Sequence, residues 1–166
     1  MIIRQAEVSD AVNLLEYTKI VGRESDNLLF GSEGIGYTIE EEEKIIESIG
    51  NHARQIMLVA TDNQEVVGLA QLVGLNRERV AHQGRLAISV RKDYWGKGVS
   101  TQLMQGLIDF ANQTNMEVIA LEVYADNIRG IKLYEKFGFK QIGLFKHYAK
   151  VKDEYKDAIM MTLQIK

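Results

Sequence analysis

The segment 90–101, VRKDYWGKGVST, carries the residues whose types and spacing point most clearly to chemistry. It follows an apolar strand pattern and passes through Gly96 and Gly98 into an amphipathic helix over about 99–114. The first turn of a helix has free backbone N–H groups and the positive end of the macrodipole, so it favours an anion. The glycines leave room for a ligand against the backbone, and Lys97 adds a positive charge. The segment therefore predicts a phosphate site.

Two familiar nucleotide-binding patterns match this segment poorly. A P-loop needs GxxxxGK[ST], which the chain lacks. A dinucleotide fold needs GxGxxG, but here Thr101 stands at the third glycine and repeated parallel βαβ units are missing. The glycine turn by itself leaves the kind of phosphate ligand open.

A second segment, NIRGIKLYEKFGF over 127–139, adds an amide and a phenol at helical spacing. On a helix Asn127, Gly130 or Ile131, and Tyr134 fall on one face. The asparagine could hydrogen-bond an amide-containing arm. A tyrosine with an ordinary pKa of about 10 stays protonated at neutral pH, so it can donate to a thiolate whose parent thiol has a pKa near 8.5. This face predicts general acid chemistry on a thioester.

The composition limits the function classes. The 166 residues are 46% hydrophobic with a net charge of −3, which is typical of one globular domain, predicted over 1–166, without the basic tract of a nucleic-acid-binding protein. The chain has no cysteines, and its histidines lack metal-ligand spacing, so we expect no metal site. No segment has the pattern of a signal peptide or a membrane span, so we expect a soluble, cytoplasmic protein with no membrane partner.

The hydrophobic periodicity predicts elements in the order β α α β β β α β α β β. Ser9-Asp10 offers an N-cap for the first helix, and Thr38 with Glu41 forms a capping box before the second. The glycine-containing loop between these helices, 22–37, is a candidate substrate lid. The strands are expected at about 2–5, 55–61, 65–73, 84–90, 118–124, 142–151 and 155–165, and the later helices at about 99–114 and 127–137.

This order predicts an α/β domain with a largely antiparallel sheet. One connection differs, because a helix separates the strand that ends at Val90 from the strand that starts near Val118. A crossover of this kind joins parallel strands. The glycine turn stands at the start of that crossover helix.

The glycine turn and the 127–139 segment together resemble the GNAT superfamily of N-acetyltransferases, and the resemblance covers most of the chain. It implies a mixed, mostly antiparallel central sheet flanked by helices, with two splayed central strands. Pantetheine is then inserted like an extra strand against Ile88, Ser89 and Val90. A backbone amide at this strand end could stabilise the tetrahedral oxyanion.

The resemblance also assigns roles to the two motifs. Residues 95–100 stand in the family's (Gln/Arg)-x-x-Gly-x-(Gly/Ala) turn, which cradles the coenzyme A pyrophosphate, with Trp95 in place of Gln or Arg and Ser100 in place of Gly or Ala. Asn127 would contact the pantetheine arm, and Tyr134 would protonate the departing thiolate. The implied cofactor-binding residues are Ile88, Ser89, Val90, Trp95, Gly96, Lys97, Gly98, Val99, Ser100, Thr101, Asn127 and Tyr134.

The base and the acceptor site are less closely defined. Glu122, twelve residues before the tyrosine, is similar in position to the catalytic glutamate of some family members, and a carboxylate there could accept the amine's proton directly or through water. The alternative is a structural glutamate, with deprotonation left to solvent. The loop over 22–37 and the last strand pair are expected to supply the acceptor walls, namely Leu28, Phe30, Tyr124 and Tyr148.

The function implied is an acetyl-CoA-dependent N-acetyltransferase in which an amine attacks the thioester directly. The acceptor is expected to be a small-molecule amine, an amino acid or a protein N-terminus, and the terminal strands could support a homodimer. The alternative function is a non-catalytic acetyl-CoA-binding sensor or regulatory module, which the same glycine turn would serve. Tyr134 favours the enzyme, because binding alone needs no phenol beside the sulfur.

Overall fold

The computed structural model describes residues 1–165, so that Lys166, the last residue of the predicted domain, lies outside the described residues. The predicted order of strands and helices is confirmed. Short 3-10 turns at Val8–Asp10, Glu78–Val80 and Lys92–Tyr94 were not predicted. The elements are β1 Ile2–Gln5, α1 Ala11–Glu24, α2 Ile39–Gly50, β2 Gln55–Asp62, β3 Glu65–Gly74, β4 Gln83–Val90, α3 Val99–Gln113, β5 Val118–Tyr124, α4 Ile128–Lys136, β6 Lys140–Val151 and β7 Glu154–Gln164.

Within the described residues the strands form one seven-stranded sheet in the order β1-β2-β3-β4-β5-β7-β6. Each neighbouring pair is antiparallel except β4 and β5, which are parallel. The predicted fold class and the predicted parallel crossover are therefore confirmed. The crossover is α3, because two parallel strands can be joined only by a connection that returns along the sheet.

The two parallel strands separate soon after they meet. β4 pairs with β5 only from Gln83 to Arg85, although it pairs with β3 as far as Val90. β5 in turn pairs with β7 over its whole length, from Val118 to Tyr124. The splay implied by the resemblance is thus confirmed, and the second half of β4 faces a gap instead of a neighbouring strand.

The two faces of the sheet bury separate apolar clusters. Successive side chains of a strand point to opposite faces, so Leu58 and Ala60 of β2 pack in the cluster with α3, while Met57 and Val59 pack with α1 and α2. In the part of the chain that the structure describes, none of the helices is long and apolar enough to cross a membrane.

Candidate active site

The glycine turn adopts the backbone conformation that glycine favours. Gly96 has φ 74° and Gly98 has φ 81°, and Gly98 is the N-cap residue of α3. A β-carbon added to Gly96 would meet no atom within 4 Å. The left-handed φ, and not a lack of space, therefore requires glycine here, and the first turn of α3 is left open to a ligand.

The start of α4 differs from the prediction in one respect. The helix begins at Ile128, and Asn127, predicted to be its first residue, is the N-cap with φ −82° and ψ 70°. The Asn127 Oδ1 accepts a hydrogen bond of 3.0 Å from the backbone N–H of Gly130. Because this oxygen caps the helix, the amide nitrogen is the group through which Asn127 can donate to a ligand.

The end of α4 holds the tyrosine in place. Gly138 has φ 90°, its N–H donates to the Glu135 carbonyl at 2.9 Å, and the Phe139 N–H donates to the Tyr134 carbonyl at 3.1 Å. These two bonds form a Schellman motif. The predicted closure at Gly138, with an apolar contact by Phe139, is confirmed, because the Phe139 and Tyr134 ring centroids lie 5.8 Å apart.

Tyr134 is buried, with 8% of its surface exposed, and burial raises the pKa of its hydroxyl to about 12. The cause is the cost of placing a phenolate in an apolar environment. At neutral pH the hydroxyl is therefore fully protonated. It is able to donate a proton or a hydrogen bond to a group that develops negative charge.

A cavity, here called the central cavity, extends from the glycine turn to Tyr134. It is lined by the end of α1 and the loop behind it, the second half of β4, the turn before α3, and α4. The structure brings together here most of the predicted cofactor-binding residues: Ile88, Ser89, Val90, Trp95, Gly96, Ser100, Asn127 and Tyr134.

Four predicted cofactor-binding residues do not line the central cavity as the structure stands. Val99 is buried in the core, and Gly98 and Thr101 occupy the first turn of α3 beside it. The Lys97 ammonium lies 5.1 Å from the centre of the Tyr94 ring. Roles for these residues toward a cofactor therefore stay predictions.

A second cavity, the outer cavity, lies beside the central one, and Ser25 and Leu28 line both. Three of the predicted acceptor walls, Leu28, Phe30 and Tyr124, line the outer cavity, together with the end of β6. The Tyr124 hydroxyl donates to the Leu28 carbonyl at 3.3 Å. Tyr148 lines neither cavity but packs edge-on against Tyr124, with 6.2 Å between ring centroids.

The loop over 25–38 runs along both cavities and is tied down at its beginning. The Glu24 Oε2 accepts a 2.7 Å hydrogen bond from the backbone N–H of Lys92, the first residue of the 3-10 turn after β4. Asp26 forms a 2.8 Å ion pair with Lys152 in the turn between β6 and β7. The loop begins after Glu24, later than the predicted residue 22, because α1 extends to Glu24. Its role as a substrate lid stays a prediction.

The structure does not bring Glu122 to either cavity. Its carboxylate forms a 2.9 Å ion pair with Arg85, and 28% of its side-chain surface is exposed. Glu122 and Arg85 lie on the splayed strands, on the face opposite the α3 core. The role of Glu122 as a general base therefore stays a prediction.

The family can now be assigned. The model described as Acetyltransferase (GNAT) family matches residues 24–139, which include the glycine turn, β4, β5 and α4. The chain belongs to the GNAT family. The resemblance seen in the two motifs is thereby confirmed.

Known GNAT proteins resemble this chain in sequence and fold. It is 35% identical over 106 residues to L-amino acid N-acetyltransferase AaaT of Escherichia coli, covering 63% of this chain and 65% of AaaT. It is 36% identical over 78 residues to the [ribosomal protein bS18]-alanine N-acetyltransferase of Escherichia coli, covering 47% of this chain and 53% of that protein. The chain thus spans between about half and two thirds of these relatives.

The crystal structure of a GNAT-family acetyltransferase from Streptococcus pneumoniae superimposes on nearly the whole chain. The TM-score is 0.95, the sequences are 30% identical, and 99% of each chain is covered. The overall fold of this chain is therefore the fold of a known GNAT protein.

The predicted site residues leave out several residues that line this GNAT chain's central cavity, although Gly130 was placed on the face of Asn127: Val21, Glu24, Ser25, Asn27, Tyr94, Arg129, Gly130 and Leu133. Those of α4 follow a signal that was available, because Gly130 and Leu133 continue the helical face that begins at Asn127. Glu24 lies within the loop predicted over 22–37, although in the structure it is the last residue of α1. No pattern in the sequence singles out Arg129, whose position depends on contact with the glycine turn.

Proposed function

We propose that this chain is an acetyl-CoA-dependent N-acetyltransferase that transfers the acetyl group by direct attack of an amine. One observation carries the proposal: the buried, protonated Tyr134 lines the same cavity as the glycine turn and the open edge of β4. A phosphate site, an unpaired strand edge and a proton donor are the three groups that a coenzyme A thioester needs along its length.

The cofactor is proposed to lie along the central cavity. Its pyrophosphate binds at Gly96 and Ser100 in front of α3, where backbone N–H groups and the helix dipole favour negative charge. The pantetheine arm follows the free edge of β4 at 88–90, and the Asn127 amide nitrogen donates to it. This direction places the thioester at the Tyr134 end of the cavity.

The proposed chemistry needs no covalent enzyme intermediate. The amine nitrogen attacks the thioester carbonyl carbon, and a backbone N–H at the end of β4 stabilises the oxyanion. When the tetrahedral intermediate collapses, the C–S bond breaks and Tyr134 donates its proton to the sulfur. The nitrogen loses one proton as the amide forms, and a proton from solvent restores the tyrosine, so the products are the acetamide and free coenzyme A.

We infer that the acceptor amine enters through the outer cavity, which shares Ser25 and Leu28 with the central one. An α-amino acceptor fits best, because an α-amino group has an ordinary pKa near 8 and demands less from a base than a lysine-type amine near 10. The names of the two Escherichia coli relatives point the same way, since they act on L-amino acids and on a ribosomal-protein alanine. Glu122 or solvent takes the proton.

The proposal is tested by measuring coenzyme A release from acetyl-CoA in the presence of L-amino acids, alanine-initiated peptides and lysine-type amines. We expect α-amino acceptors to stimulate thiol release, and Tyr134→Phe to lower the turnover number while acetyl-CoA binding is retained. Tight acetyl-CoA binding with no stimulation by any amine would support a sensor module instead.

We also propose that the terminal strands can pair two copies of the chain. β6 is an edge strand, and its Ile142, Leu144 and Phe145 are exposed. An unpaired, apolar edge of this kind is a template for association. Sedimentation equilibrium of the protein and of a Phe145→Lys variant tests the homodimer, because a dimer through this strand is expected to dissociate in the variant.

A further inference from the structure

Trp95 occupies the position of the glycine turn where GNAT proteins usually carry a polar side chain, and its indole is turned inward. The Trp95 Nε1 donates a 2.8 Å hydrogen bond to the Val90 carbonyl. An indole has a single hydrogen-bond donor. Trp95 therefore supports the turn but has no donor left for a phosphate, so a side-chain contact must come from another residue.

Arg129 lies directly against this tryptophan. It is the second residue of α4, and its guanidinium carbon is 4.6 Å from the centre of the Trp95 ring. A guanidinium stacks well on an indole face, which restricts its motion without using its N–H donors. Arg129 is exposed and lines the central cavity together with Gly96 and Ser100.

The charges around the cavity show what Arg129 contributes. Among residues 1–165 it is the one basic residue that lines the central cavity, and Glu24 is the one acidic residue. Of the basic side chains in the segment 90–101, Arg91 pairs with Glu65 at 3.0 Å, Lys97 lies over Tyr94, and Lys92 does not line the cavity. Without Arg129 the charged side chains of the cavity would repel a phosphate.

The guanidinium is also available to a ligand. In the part of the chain that the structure describes, Arg129 forms no ion pair with an acidic side chain. Its planar fork of donors matches the oxygens of a phosphate group and can bind two of them at once. A stacked, unpaired arginine beside a glycine turn is therefore oriented to bind an anion.

We propose that Arg129 binds the pyrophosphate of coenzyme A and that Trp95 is its stacking platform. α4 thus supplies the cationic donor that position 95 lacks. This inference rests on the proposed function, because it takes coenzyme A to be the ligand of the central cavity. Arg129 is a binding residue, and Trp95 acts through it as a positioning residue.

The test is the affinity of the full chain for coenzyme A, measured by isothermal titration calorimetry. We expect Arg129→Gln to weaken binding by about ten- to a hundredfold, the usual effect of losing hydrogen bonds from a charged group. Lys132→Gln is the matched control, because it removes the same charge from an exposed position of α4 outside the cavity. We expect that control to bind coenzyme A within about twofold of the unmodified chain.

A second titration with dephospho-coenzyme A identifies the phosphate. This molecule keeps the pyrophosphate and lacks the 3′-phosphate, so the loss caused by Arg129→Gln is expected to persist. If the loss disappears, Arg129 binds the 3′-phosphate and the pyrophosphate assignment is overturned. Equal coenzyme A binding by Arg129→Gln and the unmodified chain would overturn the inference and leave the proposed function intact, whereas no coenzyme A binding by the unmodified chain would remove the proposed function itself.

The role of Trp95 is tested by a double-mutant cycle. Trp95→Leu and Arg129→Gln are each expected to weaken coenzyme A binding. The affinity of the double variant is expected to fall by less than the product of the two single fold-changes, because the residues act as a unit. Thermal unfolding of each variant shows that it is folded. Multiplicative factors would mean that Arg129 binds without its platform and would overturn the positioning role of Trp95.

Discussion

Tyr134 and Phe139 pack against each other across the C-terminal cap of α4, with ring centroids 5.8 Å apart and the Phe139 N–H bonded to the Tyr134 carbonyl. The cap therefore positions the tyrosine through both its backbone and its ring. Because Phe139 is itself 3% exposed, the core holds the pair from behind. A proton donor placed in this way loses little motion when it meets a substrate.

Replacing Tyr134 by Phe separates catalysis from binding. We expect the turnover number to fall by about a hundredfold or more, which is typical for the loss of a general acid, with the affinity for coenzyme A nearly unchanged. Steady-state kinetics and calorimetry on the same preparation check this. A variant that keeps full turnover would contradict the acid role.

The same substitution changes how stability depends on pH. The folded-state pKa of Tyr134, about 12, lies above the ordinary value of 10.0, so its contribution to stability is complete below pH 10 and is lost as the pH rises through 12. Between pH 9 and pH 11 the free energy of unfolding of the unmodified chain is expected to fall by about 1 kcal/mol more than that of the Tyr134→Phe variant. Urea unfolding at the two pH values measures the difference, and identical losses would argue against a buried phenol.

Gly98 provides a test of the phosphate site that includes its own control. Its φ of 81° strains any other residue, although a β-carbon there would come no closer than 4.0 Å to the Gln102 side chain. Gly98→Ala is expected to cost about 1 kcal/mol of stability and to change coenzyme A affinity little. Gly98→Glu adds a negative charge in front of α3 and is expected to weaken binding at least about tenfold more than Gly98→Ala.

These two variants share the backbone strain and differ in charge and bulk. Calorimetry with coenzyme A compares them directly, and thermal unfolding shows that both are folded. If the alanine and glutamate variants bind coenzyme A equally well, the first turn of α3 is not where the phosphates bind.

Glu42 is a buried acidic residue in the first turn of α2. It is 3% exposed, and in the described part of the chain its Oε2 has no hydrogen-bond partner. Burial raises the pKa of this carboxyl. The stability that the protonated carboxyl contributes is therefore fully present below its ordinary pKa of about 4.5 and is lost as the pH rises through the raised pKa. We expect Glu42→Gln to increase the free energy of unfolding by about 1 kcal/mol at pH 8 and hardly at all at pH 4.5.

The control for this prediction is Glu47→Gln, an exposed glutamate on the same helix. It removes the same charge without changing a buried group, so its effect on stability is expected to be small at both pH values. Urea unfolding of the unmodified chain and of the two variants at both pH values measures these effects. Equal effects of the two substitutions would show that the charge of α2, and not burial, is responsible.

The ion pair between Asp26 and Lys152 allows a test of whether the loop over 25–38 acts as a lid over the outer cavity. Both side chains are largely exposed, at 51% and 77%, so their 2.8 Å ion pair is expected to contribute at most about 1 kcal/mol to holding the loop. Asp26→Asn is expected to change the KM for the acceptor amine several-fold, because the loop beside Leu28 loses its tie, with the coenzyme A affinity unchanged. Kinetics with varied acceptor at saturating acetyl-CoA measure this, and an unchanged acceptor KM would contradict a lid at this position.

Local patterns were enough for most of the fold. The expected strand over 118–124 and the expected start of the helix at residue 99 match β5 and α3. Both depend on the hydrophobic period, and the start of α3 depends also on the glycine before it. These signals act within a few residues. The start of β6 was placed at 142, whereas the strand begins at Lys140, because its pairing with β7 across a bulge extends it.

The sequence by itself determined which groups are available: a glycine turn before one helix, and an asparagine and a tyrosine on the next, which together identified the family. Only the tertiary structure decided which charged groups reach the cavity. Glu122 turned out to pair with Arg85, and Arg129 turned out to stack on Trp95. The physical reason is that the partners of these long charged side chains lie on other helices and strands. The hydrophobic pattern along a single helix or strand does not indicate how those elements pack against one another.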